Sequence, residues 1–288
     1  MNKILKLELK KAFCSKLFLF SILVGLGFVI SSAHSMYELN YISFDRPVAL
    51  AMIENGQMFE LIFEGKSLYT GWIGAEINSS ASMSFFIILP LLAMLPCGFS
   101  LVGDIRSGYT KLIVPKCGRK NYILAKLISA FISGGAVAAL LLLSSVLIVA
   151  LFLPAVAPKI INSMYFPVLH GDILSQVAYS KPMLFILCYI GLDFIFCGLF
   201  ACIPVAMAFI VKRPVYAVLI PYLTVIASSL LRNFFLYISF IEVSPIFLMR
   251  AVPIVNASRW WMVLLWYAVF SFSAIPFALV KGVKYEIL

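Results

Sequence analysis

Long apolar runs separated by short charged stretches dominate the pattern of this chain. The hydrocarbon core of a bilayer is about 30 Å thick, so a helix rising about 1.5 Å per residue needs ~20 apolar residues to cross it. Six runs approach that length and predict six membrane-spanning helices. The predicted spans are Leu17–Ser35, Ser82–Gly103, Leu127–Leu153, Met183–Val211, Val215–Leu231 and Trp260–Val280. The pattern therefore predicts an all-α polytopic membrane protein.

Two longer stretches between the spans are more polar. The first, residues 36–81, is predicted to be an outer loop with a short helix around Pro47–Phe63, where apolar residues recur every three or four positions. The second, residues 232–258, is moderately apolar but is interrupted by Glu242, Arg250 and two prolines. Because these interruptions disfavour further crossings, we expect a re-entrant or interfacial helical hairpin on the outer side before the last span.

Composition supports the same class. Hydrophobic residues make up 63% of the 288-residue chain and charged residues 12%, with a mean hydropathy of +1.06. Soluble domains carry about 25% charged residues, so a water-soluble fold of this length could not hide so much apolar surface. No internal repeat or low-complexity linker divides the chain. We therefore expect a single membrane domain over residues 17–288, preceded by a distinct N-terminal segment, residues 1–16.

The net charge of +10 arises from 22 lysines and arginines against 12 acids. In a soluble protein this excess would suggest a nucleic-acid partner. Here the basic residues flank the apolar runs, so no nucleic-acid binding is expected. Fifteen of them fall on the side that holds the N-terminus, the second–third and fourth–fifth loops and the tail, beside only three acids. The positive-inside rule then places both termini in the cytoplasm.

Residues 1–16 are predicted to form an amphipathic helix at the membrane interface. At 100° per residue, most lysines of this segment cluster on one half and most apolar residues on the other. Glu8 is an exception, because it falls within the apolar half. An alternative interpretation is a secretory signal peptide that ends at Ala33-His34-Ser35. The basic residues assigned to the interfacial helix are Lys3, Lys6, Lys10 and Lys11.

No constellation of catalytic or metal-ligating residues stands out. The two histidines have no partner nearby in sequence, and the six cysteines show no zinc-ligand spacing and lie outside the two long polar stretches after Ser35 and Pro154. Gly103 and Gly108 reproduce the glycine spacing of a phosphate-binding P-loop, but Tyr109 stands where that loop requires a lysine. We expect no enzymatic activity, no cofactor and no metal on this chain.

One acid, Asp193, falls well inside a predicted span. An intramembrane carboxylate costs about 2.5–3.5 kcal/mol even on insertion scales, and it usually faces the bundle interior or a wet cavity. Asp193 is either a substrate or proton site, or a partner in an interhelical hydrogen bond to Ser144, Ser145 or a tyrosine. An ion-coupled secondary transporter or channel that uses Asp193 is the alternative to an ATP-driven mechanism.

The loop between the second and third predicted spans is the most informative stretch of the sequence. Residues 104–120 predict an elbow, in which a short helix over Arg106–Val114 is stopped by Pro115 and a second helix begins near Lys120. Two glycines within it supply bends. An elbow of this kind could transmit force from a partner to the helices that it joins. The alternative is a basic loop that only follows the positive-inside rule.

The elbow also resembles a known motif. An acid that leaves the second span, followed by Gly, Thr, Leu, Pro and Arg and by a lysine that enters the third span, is similar to the permease subunits of ABC-2 type ATP-binding-cassette transporters. Asp104 stands where that family usually has Glu, and Gly118 where it usually has Ser. The six spans and the amphipathic start extend the likeness over the whole chain. The positions that carry the resemblance are Asp104, Gly108, Thr110, Leu112, Pro115, Arg119 and Lys126.

The resemblance implies a division of labour. A coupling helix in the elbow would contact one of two separate ATPase subunits, which hold ATP and Mg²⁺. The chain would pair with a second permease copy, as a homodimer or a heterodimer, in a bacterial cytoplasmic membrane. The residues implied in ATPase coupling are Asp104, Arg106, Gly108, Tyr109, Thr110, Lys111, Leu112, Pro115 and Arg119.

The cargo implied is an amphipathic or hydrophobic peptide. In length and in its short loops the chain is similar to exporters of antimicrobial peptides, of lantibiotics in self-protection and of phenol-soluble modulins. Spans rich in Phe, Leu, Ile and Met suit such a cargo, since Met-rich linings tolerate varied shapes. Export of a glycolipid or polysaccharide is the alternative within the family.

Overall fold

The computed structural model describes residues 2–43, 54, 67–77, 79–158, 168, 171–211, 213–230, 232, 241–252 and 256–284. Over these residues the chain is helical and contains no strand, apart from an isolated bridge between Ile241 and Ala257. The α-helices, in chain order, are α1 Asn2–Phe13, α2 Lys16–Tyr37, α3 Leu68–Gly71, α4 Ser80–Gly98, α5 Ser100–Arg106, α6 Tyr109–Cys117, α7 Arg119–Ala150, α8 Ser175–Ser180, α9 Pro182–Met207, α10 Pro214–Leu230, α11 Pro245–Leu248 and α12 Trp260–Lys284. A π-helix over Glu38–Ser43 directly follows α2.

Within the described residues, five helical stretches are long and apolar enough to cross a membrane, as expected of a multi-pass membrane protein. They match the first, second, third, fourth and sixth predicted spans. The fifth predicted span is α10, whose 17 residues extend about 26 Å, less than a typical hydrocarbon core. A sixth crossing is therefore not established. The five stretches are Lys16–Tyr37, Ser80–Arg106, Arg119–Ala150, Pro182–Met207 and Trp260–Gly282.

Close packing joins α7 and α9 at the centre of the bundle. A Cβ atom on Gly134 of α7 would lie 2.8 Å from the carbonyl oxygen of Cys197, and one on Gly198 of α9 would lie 2.9 Å from that of Phe131. The same position on Gly134 lies 3.0 Å from the carbonyl oxygen of Ala93, so α4 joins the pair. Small residues let membrane helices pack by van der Waals contact, where lipid provides no hydrophobic driving force between them.

The first and last long helices, α2 and α12, lie at the periphery. Less than a third of the apolar stretch of each is buried, against more than half for α7, α9 and the α4–α5 pair. Large side chains such as Leu19, Leu23 and Phe272 are exposed there. These faces are available to lipid or to another subunit.

Loops at the end of the bundle opposite to the elbow are tied to one another; we call this end the cap end. The Ala251 amide donates to the carbonyl oxygen of Gly74 at 2.9 Å, and the Ser258 amide donates to Asp172 Oδ1 at 3.0 Å. The loops before α4, before α8 and before α12 thus form one connected layer. The helix predicted around Pro47–Phe63 falls almost wholly outside the described residues.

The predicted outer hairpin is described only in part. Residues 241–252 contain the four-residue helix α11, and Glu242 accepts a 2.8 Å hydrogen bond from Arg232 Nε. Burial raises the pKa of Glu242, although the Arg232 charge acts against this. Residues 233–240 and 253–255 lie outside the described residues, so a re-entrant hairpin is not established.

Candidate functional site

Two glycines shape the elbow between α5 and α7. Gly108 precedes α6 with φ +74°, and Gly118 follows it with φ +79°. Both values lie in the left-handed region that glycine adopts without steric cost. No heavy atom lies within 4 Å of a Cβ built at either position, so backbone conformation rather than crowding favours glycine there. The elbow is thus a short helix bounded by two sharp bends.

The helix in the elbow differs from the prediction at both ends. It begins at Tyr109 and not at the predicted Arg106, which is the last residue of α5. It then continues through Pro115 to Cys117. Proline removes one hydrogen bond, here the bond to the carbonyl of Lys111. Lys111 and Pro115 both belong to the exposed face of α6, where water can satisfy the freed carbonyl. The prediction that Pro115 stops the helix was therefore wrong.

The outward face of α6 is both basic and apolar. Leu112 is 69% exposed and is flanked on the same face by Lys111 and Lys116. The opposite face packs on the bundle through residues that include Ile113 and Val114. The outward face of α6 thus offers an exposed leucine between two lysines, on a helix whose other face is packed against the bundle.

A buried ion cluster lies behind the elbow. Lys126 Nζ lies 2.6 Å from Glu8 Oε2 and 2.6 Å from Asp104 Oδ2, and it donates to Ser100 Oγ at 2.5 Å. The side chains of Lys126 and Glu8 are only 2% and 3% exposed. A lysine ammonium has three donors, so these three acceptors satisfy it completely. The cluster connects α1, α5 and α7.

Asp104, which lies on α5, makes two further contacts in this cluster. Its Oδ2 accepts a 2.7 Å hydrogen bond from the Tyr122 hydroxyl, and its Oδ1 lies 2.9 Å from Lys11 Nζ. The Lys11 ammonium also lies 4.6 Å from the ring centroid of Tyr109, the first residue of α6. Burial lowers the pKa of Lys11, but the hydrogen bond and charge of Asp104 outweigh it, so that pKa is raised.

The arrangement is a charge-neutral joint of two carboxylates and two ammonium groups. Removing one partner of a buried ion pair typically costs about 3–5 kcal/mol, because the other charge is left uncompensated. The joint therefore resists separation of the four elements that it connects, α1, α5, α6 and α7. Displacement of the elbow would be transmitted to the N-terminal helix and to two long helices together.

Sequence reasoning placed several of these residues but missed how they pair. Lys3, Lys6 and Lys10 of the predicted interfacial face are exposed on α1, whereas Lys11, which was assigned to the same face, pairs with Asp104. Glu8 was predicted only as an exception to the amphipathic pattern, whereas it is buried and paired with Lys126. An acid on the apolar face of a basic helix is the signal that could have identified it.

The other predicted coupling residues surround the joint without entering it. Arg106 and Arg119 are exposed at the two ends of the elbow. Thr110 is buried, and its hydroxyl makes no hydrogen bond within the described part of the chain. The structure thus brings together Asp104 of α5 and Tyr109 of α6, because Lys11 of α1 contacts both. Lys126 of α7 pairs with Asp104 as well.

Asp193 forms a separate site on α9. It is 0% exposed, and neither carboxylate oxygen has a hydrogen-bond partner among the described residues. The predicted partners are engaged elsewhere, since Ser144 donates to the carbonyl of Leu141 and Ser145 accepts from the Ile73 amide. The hydrogen-bond interpretation was therefore wrong for these serines. Within the described part of the chain, Asp193 is therefore a buried carboxyl group that makes no hydrogen bond.

No group of three His, Cys, Asp or Glu side chains in the described ranges could hold a metal ion, and the six cysteines are free thiols. No family model, curated protein or solved structure matches this chain.

Proposed function

We propose that this chain is the membrane-spanning subunit of an ATP-driven exporter, and that its elbow docks on a separate ATPase subunit that holds ATP and Mg²⁺. The observation that carries the proposal is the exposed α6 helix, with Leu112 at its surface and a buried ion cluster behind it. A docking helix needs both features, a free face for the partner and a rigid connection to the helices that must move.

In this proposal the ion cluster transmits the force from the elbow to the helices. Closure of the ATPase subunits on ATP would displace α6, and Tyr109 lies against Lys11, which is bound to Asp104. Lys126 carries the displacement on to α7 and, through Glu8, to α1. Since these buried pairs resist separation, the elbow, the N-terminal helix and two spans would shift as one unit between inward-facing and outward-facing states.

We also propose how the chain is oriented in the membrane and how it assembles with a second copy. The elbow end faces the cytoplasm of a bacterial cell, since most basic residues lie on that side. The short helix α10 crosses as a sixth span, which returns the C-terminus to the cytoplasm. A second copy of the chain binds to a peripheral face of the bundle, so that two elbows meet two ATPase subunits.

The cargo we propose is an amphipathic or hydrophobic peptide. The helices present Phe, Leu, Ile and Met side chains along their interior faces, and such surfaces favour an apolar ligand over a sugar or a metal ion. A glycolipid or a polysaccharide is the alternative cargo.

Photo-crosslinking tests the docking helix directly. The variant Leu112→benzoylphenylalanine is expressed in the native host, and Leu151→benzoylphenylalanine serves as the matched control, because Leu151 is at least as exposed but lies at the cap end. We expect position 112, and not position 151, to crosslink to a polypeptide that carries a P-loop. Crosslinks from position 112 to lipid alone, or ATP hydrolysis by the purified chain itself, would contradict the proposal.

A second candidate is an ion-coupled transporter or channel, which the unpaired Asp193 carboxyl favours. Vesicle transport separates the two mechanisms. An exporter moves its cargo with ATP and no ion gradient, whereas an ion-coupled transporter moves it with a gradient and no ATP.

A further inference from the structure

The unpaired acid stands in a row of aromatic side chains. Tyr189, Asp193, Phe196 and Phe200 recur at intervals of three or four residues along α9, so they share one face of the helix. Asp193 thus lies between two aromatic residues on this face, Tyr189 before it and Phe196 after it. All four residues are buried. Asp193 is the polar residue of this row, and its two carboxyl oxygens have no hydrogen-bond partner among the described residues.

A second aromatic row on α12 packs against the first. The ring centroids of Phe196 and Tyr267 are 4.6 Å apart, and those of Phe200 and Phe270 are 4.9 Å apart. Trp266 stacks on Phe270 at 5.1 Å. We call these facing rows of α9 and α12 the aromatic seam. Because α12 lies at the periphery of the bundle, the seam is a joint between a central helix and one with fewer buried contacts.

No basic group balances the acid within the described residues. The ionisable side chains close to it are Tyr189 and Cys197 on α9 and Tyr267 on α12. The Tyr267 hydroxyl is already donated to the carbonyl of Leu192 at 3.0 Å. The helix α4 contains no charged residue, and the basic residues of α7 lie at its elbow end. The basic residues of α12 also lie at its elbow end, so none of these three helices places a counter-charge near Asp193.

We propose that Asp193 and the aromatic seam form a latent binding site for a lipophilic organic cation, which enters when α9 and α12 separate. A carboxylate supplies the counter-charge, and the faces of Phe and Tyr rings attract cations through their quadrupole. A metal ion would need several oxygen or nitrogen ligands, whereas this site offers a single carboxylate. In a low-dielectric interior an anion would be repelled by the same group.

This site deepens the proposed function, because it implies that the exported cargo carries a positive charge. The argument for the site itself depends only on Asp193 and the aromatic seam. A cationic amphipathic peptide would place an ammonium or guanidinium group on Asp193 and its apolar side chains against the rings. Binding can be measured on the full chain without any ATPase subunit. Failure of the docking proposal and failure of this inference are therefore distinguishable.

Equilibrium binding of tetraphenylphosphonium to the full-length chain in lipid nanodiscs tests the site. The matched probe is tetraphenylborate, which has a similar size and shape but the opposite charge. We expect saturable binding of the cation, at least tenfold weaker binding to D193N, and no saturable binding of the borate. Equal affinity of wild type and D193N for the cation, or no saturable binding over empty nanodiscs, would overturn the proposal.

Two substitutions of phenylalanine test the seam independently of charge. Phe196 is buried in the seam, whereas Phe272 lies on α12 but is 76% exposed. We expect F196L to weaken cation binding several-fold and F272L to leave it unchanged. Equal effects of the two variants would show that the probe partitions at the lipid surface, and this result would also overturn the proposal.

Discussion

The chain buries carboxyl groups in two ways, in the ion cluster at the elbow and at Asp193 in the aromatic seam. In the first, Lys126 satisfies three acceptors and no net charge remains. In the second, a carboxyl group has no partner within the described residues. A fully paired cluster favours one fixed geometry, which suits a joint that must transmit movement. An unpaired group favours any state that supplies a partner, which suits a binding site.

The largest expected effect is at the paired site. K126A leaves Glu8 and Asp104 without their shared cation, and we expect the free energy of unfolding to fall by about 3–5 kcal/mol. Denaturant titration of the purified chain in mixed micelles measures this. The control is K116A, which removes an exposed lysine of α6 and should change the stability little. Equal effects of the two variants would mean that the cluster does not hold the elbow.

The unpaired site should respond with the opposite sign. Asp193→Val removes a buried polar group that makes no hydrogen bond, so we expect the free energy of unfolding to rise by about 1–3 kcal/mol. The same titration measures it. A loss of stability in this variant would indicate that Asp193 has a stabilising partner, and the contrast between the two sites would disappear.

The bends of the elbow provide a smaller test. G118A places a Cβ on a residue with φ +79°, which should cost about 1–2 kcal/mol without any steric contact. The matched control is G103A in the helix α5, where a Cβ also meets nothing within 4 Å. There we expect a gain of about 0.5–1 kcal/mol, since alanine is the better helix former. Hydrogen exchange across α6 would localise the change.

The smallest effect concerns pH. The pKa of Lys11 is raised above 10.5 in the folded chain, because the attraction of Asp104 outweighs burial. Its stabilising contribution is therefore fully present below pH 10.5 and is lost as pH rises through the folded value. The side chain is 44% exposed, so K11M should cost no more than about 1 kcal/mol at neutral pH. Stability curves of the two chains should converge only at strongly alkaline pH.

Hydropathy was sufficient to locate most of the fold. Five predicted spans match long helices within a few residues at most of their ends, because length and apolar content directly determine whether a segment can cross a bilayer. The amphipathic pattern of residues 1–16 likewise predicted the helix α1. The position of the elbow followed from its charge and glycines, although Pro115 did not end the helix as local preference suggests.

The sites could be predicted only in part. Periodicity shows which face of a helix is buried, but not which group it will meet there. Glu8 and Lys126 are far apart in sequence, and their pairing depends on how α1 lies against α7. The cost of Asp193 was predictable from its depth, whereas its lack of a partner depends on the hydrogen bonds that Ser144, Ser145 and Tyr267 form with other groups.

The most direct test of the central claim is ATP hydrolysis by the assembled complex, purified with its ATPase subunits, for wild type, L112D and L151D. Leu112 and Leu151 are both exposed leucines, at the elbow end and the cap end respectively. The account predicts that L112D releases the ATPase subunits and abolishes cargo-stimulated hydrolysis, while L151D behaves like wild type. Normal assembly and stimulation in L112D would contradict it.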